Sequence, residues 1–225
     1  MHIEPGLVAD SKIWLSYFTA CGAGAYALKA TFDTIRDRGL MSLVTRTAAT
    51  TALVFSFFEV LPHYPIGVSE VHLILGSTLF LVFGLAPAAL GLALGLLVQG
   101  LFFAPFDLPQ YGMNVTTLLV PLIALTALAR QVIKPDTPYV ELRYRQALAL
   151  STTYQAGIVV WVGFWALYGQ GFTAANFTAI TSFGAAYMSV IIVEPLVDLA
   201  VLAVAKTFHR LAGSMLLERR LYEAA

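Results

Sequence analysis

The chain has 225 residues, of which 59% are hydrophobic and 12% charged; soluble domains carry charge at about a quarter of their positions, so a water-solvated globular domain is excluded. Thirteen basic and thirteen acidic residues cancel, which removes any global electrostatic case for nucleic-acid binding and makes the placement of charge the informative quantity. Cys21 is the only cysteine, so neither a disulfide framework nor a thiolate metal site is available within the chain.

The first ten residues hold no basic or apolar signal region before Asp10 and Lys12, so no cleavable leader is read and Met1 is the expected mature N-terminus. Apolar runs then fall at about 13–30, 46–61, 70–86, 87–104, 113–133, 146–168 and 175–205. Several reach the roughly 20 residues that cross about 30 Å of hydrocarbon. The expected fold is therefore all-α, a polytopic transmembrane helical bundle of about seven spans in a lipid bilayer. Val71 to Ala104 would make a helix of about 51 Å, too long for one crossing, so the run divides at Gly84-Leu85-Ala86-Pro87 into two antiparallel helices with a tight turn. The last run is also overlong, and either tilts, begins in the interface, or contains a short extra segment.

With the N-terminus outside, Lys29, Arg36, Arg38 and Arg46 fall inside, as do Arg130, Lys134, Arg143 and Arg145 between the fifth and sixth runs. Lys206, Arg210, Arg219 and Arg220 fall in a cytoplasmic tail, whereas the connections 62–69, 105–112 and 169–174 contain no lysine or arginine. Only Lys12 of the thirteen basic residues lies outside, which fits an odd number of spans with an external N-terminus and a cytoplasmic C-terminus. Residues 1–205 thus read as one transmembrane domain opening with segment 1–10, and 206–225 as a cytoplasmic tail. From Lys206 to Glu223 that tail mixes Leu211, Met215, Leu216 and Leu217 with basic residues, the pattern of an interfacial amphipathic helix that anchors on the membrane or docks a partner. No loop is long enough to house an enzyme, so any chemistry sits among the helices.

The external side collects His2, His63 and His72 with Glu4, Asp10, Glu59, Glu70 and Asp107, a cation-attracting face or a solvated acidic rim. Met1-His2 offers an α-amine, the His2 amide nitrogen and His2 Nδ1, which chelate one ion through adjacent five- and six-membered rings. Bulky His2 protects Met1 from methionine aminopeptidase, although the formyl group must be removed to free the amine. A fourth nitrogen from His72 would complete a square-planar set suited to nickel(II) or copper(II) and open to cobalt(II).

Met1-His2-Ile3-Glu4-Pro5-Gly6 resembles the opening of the CbiM/NikM family, the substrate-binding membrane (S) components of cobalt and nickel energy-coupling-factor (ECF) ABC transporters. The resemblance continues through Val71-His72-Leu73-Ile74-Leu75-Gly76, Pro87, Val98-Gln99-Gly100-Leu101-Phe102-Phe103 and Tyr111-Gly112-Met113-Asn114. It covers residues 1–125 by motif and the remainder by helix count. It implies a high-affinity permease subunit for cobalt(II) or nickel(II) uptake in a bacterial inner membrane, with Met1, His2 and His72 as metal ligands. Gln99 and Asn114 match positions near the family's binding loop; they fix the N-terminal segment or bond helix to helix. The family's glycine-rich stretch is replaced by Ala104-Pro105-Phe106-Asp107-Leu108-Pro109-Gln110. Glu70 stands where the family is often small or neutral; it tunes or joins the site, or complements a helix dipole. His63 reads as a loop residue, with a ligand or entry-path role as the alternative, and His209 in the basic tail has no metal role.

In the first run, Ala20, Ala23, Gly24 and Ala27 form overlapping small-xxx-small pairs, for internal packing or for contact with a transmembrane coupling subunit. The chain lacks G-x-x-x-x-G-K-[ST] and so cannot hydrolyse ATP itself; it is expected to be a transporter subunit and not an enzyme, with ATP hydrolysis in separate ATPase subunits. No cofactor is implied; the metal is substrate. A stand-alone channel or secondary permease would need a through-path of polar residues, and intramembrane acids are sparse. An intramembrane enzyme finds no H-E-x-x-H or G-x-S-x-G, and a structural subunit predicts that His2 is dispensable. Glu194 and Asp198, four residues apart on one face, are expected to reach the cytoplasmic interface and carry no catalytic role.

Overall fold

The computed structural model describes residues 3–224, apart from the side chain of His209. Helices α1 (Trp14–Arg38), α2 (Leu40–Glu59), α3 (Gly76–Phe83), α4 (Leu85–Phe102), α5 (Tyr111–Val132), α6 (Tyr144–Gln170), α7 (Ala174–Met188) and α8 (Glu194–Thr207) form the bundle. Between α2 and α3 lies a small antiparallel hairpin, β1 (Tyr64–Ile66) and β2 (Ser69–Val71), with Pro65 opposite Glu70. Five segments are long and apolar enough to cross a membrane: α2, α4, Pro105–Val132, α6 and Ala174–Thr207. α1 has 25 residues but carries Lys29, Asp33, Arg36 and Arg38 in its last turns.

The all-helical architecture agrees with the hydropathy pattern, while two apolar runs take unexpected forms. The third run, 70–86, is no spanning helix: β2 and an extended stretch lead into α3, whose 8 residues measure only about 12 Å at helical rise. The seventh run is interrupted by a 3-10 turn at Ser189–Ile192, which separates α7 from α8. The division at Gly84 is present. Gly84 adopts φ +85, a conformation L side chains rarely take, and it alone separates α3 from α4.

α2 packs along α4, and α5 lies against α6, α1 and α4. The first contact is close because Gly91 and Gly95 stand one turn apart on α4. A Cβ at Gly91 would fall 2.2 Å from Thr50 Oγ1, and one at Gly95 would fall 2.6 Å from Val54. Ala23 and Ala27 are buried and share a narrow gap with Leu85, Ala89 and Leu122, while Ala20 and Gly24 are partly exposed.

Beyond α8 the chain departs from the amphipathic helix expected there. Gly213 takes φ +78, and only single 3-10 turns form at His209–Leu211 and Arg219–Leu221. The tail folds back onto the end of the bundle where α3 turns into α4. The Glu218 amide donates to the Val82 carbonyl at 2.8 Å, and the Arg46 Nη1 donates to Phe83 O at 2.8 Å and to Glu218 Oε2 at 2.7 Å.

Candidate metal centre

The opposite end of the bundle gathers the sequence-predicted site residues. A two-residue turn, Gly67-Val68, joins β1 to β2, and Gly67 has φ +66, as a primed hairpin turn requires. The turn also presses on α7, since a Cβ at Gly67 would lie 2.1 Å from the Ala179 carbonyl oxygen. β2 therefore occupies a fixed position, and His72 follows it directly. Residues 70 and 72 share one side of an extended chain, which brings His72 Nε2 to 3.0 Å from Glu70 Oε2.

His72 is 1% exposed. The Phe58 ring meets its edge at a centroid distance of 5.0 Å, and the exposed His63 ring stacks on it at 4.8 Å. His63 is a loop residue between α2 and β1, as expected, and its ring covers the imidazole, a contact with no signal in local sequence because it depends on the hairpin's return. A proton on Nε2 shared with the Glu70 carboxylate leaves Nδ1 as the basic nitrogen, the arrangement by which a carboxylate orients a metal-binding imidazole.

The segment after residue 2 is held from several sides. Ile3 is fully buried, forms an antiparallel bridge with Ser69, and donates its amide to Asn114 Oδ1 at 3.0 Å. The Glu4 amide donates to Val68 O at 3.3 Å. Farther along, Gln170 Nε2 donates to Leu7 O at 2.9 Å and Lys12 Nζ to Tyr168 O at 3.1 Å. Met1 and His2 lie outside the described residues. The strand leading to His72 is also the strand that holds the residue immediately following His2.

Asn114 and Gln99, both buried, line one narrow cavity with Asp107, Leu108 and Tyr111. The Pro105–Gln110 stretch that replaces a glycine-rich loop is a 3-10 helix with Asp107 and Gln110 turned inward. Among the described residues no group of three or more His, Cys, Asp and Glu converges as a metal site.

Glu194 and Asp198 do not reach the cytoplasmic interface. Both are 0% exposed and sit in a hydrogen-bonded group with Ser77, Thr78, Ser151 and Gln155. The available signal was two acids at helical spacing in an apolar run with no base beside them, a pattern that marks an intramembrane site.

The family model described as the cobalt uptake substrate-specific transmembrane region, CbiM, matches residues 2–211. The chain belongs to the CbiM family. It is thereby a membrane protein of metal uptake and a transporter component. No curated protein matches this CbiM-family chain. Two solved structures share its fold: a crystal structure of a transition metal transporter (18% identity, TM-score 0.69, covering 93% of this chain and 94% of that one), and a truncated transition metal transporter (18% identity, TM-score 0.68, covering 94% and 98%).

Proposed function

We propose that this CbiM-family chain is the high-affinity metal-capturing S component of an ECF ABC transporter in a bacterial inner membrane, taking up cobalt(II) or nickel(II). In this reading the chain crosses the membrane seven times, with α7 and α8 sharing the last passage, and the His72 end faces outward. The ligands are the Met1 amine, the His2 amide nitrogen and Nδ1, and His72 Nδ1, giving four nitrogens. Glu70 orients His72, Asn114 holds the chain at Ile3, and Gln99 lines the cavity beside Asn114. ATP hydrolysis takes place in separate subunits, reached through a transmembrane coupling subunit; the exposed flank of α1 at Ala20 and Gly24 is the face offered to that partner.

One observation carries the reading. Ile3 is fully buried, bridged to Ser69 and bonded to Asn114, so the residue after His2 is tethered to the strand that leads to His72, which supports a chelating role for the two residues before it. A solvated loop end has no need of such fixation. Nitrogen donors in a plane favour nickel(II), whereas the family description names cobalt uptake.

The test is metal content and binding of purified protein with a free native N-terminus, beside a version with one extra residue before Met1 and a His72→Ala variant. One tightly held equivalent of cobalt or nickel, lost in both variants, is expected. Binding unchanged in either variant overturns the ligand set.

A further inference from the structure

A second group of buried polar side chains lies away from the His72 centre, where two helices begin inside the bundle. α3 starts at Gly76 after an extended stretch, and α8 starts at Glu194 after the break at Ser189–Ile192. Glu194 and Asp198 are completely buried, and the single Ser77 hydroxyl lies 3.0 Å from Glu194 Oε1 and 2.8 Å from Asp198 Oδ2. Thr78 donates to Asp198 and Ser151 to Glu194. Among the described residues, no lysine, arginine or histidine pairs with either acid. Two adjacent acids in a low-dielectric interior are carried either by protonating at least one of them or by a cation held between them or beside them.

A separate observation points to what that species contacts. Gln155 Nε2 is used twice, donating to Glu194 Oε2 at 2.6 Å and to Ile74 O at 3.0 Å. The carbonyl oxygen of the same amide is buried and has no partner, and the same holds for the hydroxyls of Tyr154 and Tyr187. The Tyr154 ring presses on Gly76, beside Ser77. Buried polar atoms are normally satisfied, and here the unsatisfied Gln155 oxygen belongs to an amide already bonded to Glu194. The donor set is all oxygen, with a formal charge that balances one divalent cation. Such sets hold hard cations and also accept six-coordinate cobalt(II) or nickel(II), more weakly than nitrogen donors do.

We propose that Glu194, Asp198 and the Gln155 carbonyl form a second, all-oxygen binding site for the divalent metal cargo, inside the membrane and separate from the His72 centre. The proposal rests on the metal-uptake reading only for the identity of the cation. The two centres are joined by backbone: Gln155 holds the Ile74 carbonyl, and the Ile74 amide donates to His72 O at 3.1 Å. Metal leaving nitrogen ligands would meet a weaker oxygen station five residues farther along the same segment, which suits a step toward release.

Cobalt(II) titration of the full chain in lipid nanodiscs, followed by visible absorption and equilibrium dialysis, tests this. Wild type is expected to take two equivalents. His72→Ala should keep one, weaker and with the faint spectrum of an oxygen-ligated six-coordinate ion. The isosteric Glu194→Gln/Asp198→Asn variant should lose that equivalent and keep the tighter one, and the combined variant should bind none. Ser77→Ala, which leaves both acids in place, should weaken the second equivalent about ten-fold and serves should the double variant not fold. A weak equivalent that survives Glu194→Gln/Asp198→Asn, or Ser77→Ala binding like wild type, overturns the proposal. So does a pair that never takes cobalt at saturation and holds only a proton. Loss of the tight equivalent alone from wild type would count against the His72 ligand set and leave the oxygen site standing.

Discussion

Asn114 shows how a single acceptor organises the candidate centre. Its Oδ1 receives the Ile3 amide, and Ile3 is fully buried, so removing the acceptor leaves an N–H unpaired where water cannot replace it. The cost of such a group is about 1–3 kcal/mol, a factor of roughly five to 160 in the population of the docked segment. Asn114→Ala is accordingly expected to weaken cobalt or nickel binding at least about five-fold with little change in thermal stability, while Asn114→Asp retains most of the affinity. Calorimetric titration of both variants checks this, and an unchanged Asn114→Ala would mean that the Ile3 tether does not serve the metal. A polar residue in an apolar helix was readable from sequence, because hydrocarbon penalises it unless it has a partner. The His63 stack on His72 was not readable, since it is set by the hairpin's path. Glu194 and Asp198 were visible but misplaced: their spacing fits an inner helix end as well as it fits a break within the membrane.

Hydropathy located the helices but could not say which apolar residues were helical. An extended stretch such as 72–75 and a helix such as α3 are both mainly apolar, and periodicity cannot separate them in so short a run. The Gly84-to-Pro87 division was legible because glycine and proline carry backbone information of their own. The tail was misread for the converse reason, since its amphipathic pattern was real while Gly213 and Ser214 interrupt it. What orders the tail is Arg46, 0% exposed on α2, paired with a Glu218 carboxylate that is about one-quarter exposed (26%). Removing one partner from a buried pair strands the other charge, at about 3–5 kcal/mol; partial exposure of Glu218 puts the expected cost at the lower end of that range. Glu218→Ala should therefore lower the melting temperature of the solubilised protein, and Arg46→Met/Glu218→Ala should recover most of the loss. Equal melting temperatures for Glu218→Ala and wild type would show that the tail does not brace the bundle.

At the scale of the whole molecule the two ends differ in kind. One end holds the hairpin, residues 3–12, the 105–110 turn and the short α6–α7 connection, with Lys12 its only lysine or arginine among the described residues. The other holds the α1–α2 junction, the 133–143 loop and the tail, with the arginines and lysines. The positive-inside rule turns that asymmetry into an orientation, and orientation decides the direction of transport, because a capture site must face the side from which the cation arrives. Cysteine labelling separates the two possibilities. In a Cys21→Ser background, Tyr64→Cys reports the hairpin and Asp136→Cys reports the basic loop, both from exposed positions. A membrane-impermeant maleimide applied to intact cells is expected to label Tyr64→Cys, and to reach Asp136→Cys only after permeabilisation. The reverse pattern would place His72 in the cytoplasm, make this end a site of delivery rather than capture, and leave the Glu194–Asp198 group upstream of it.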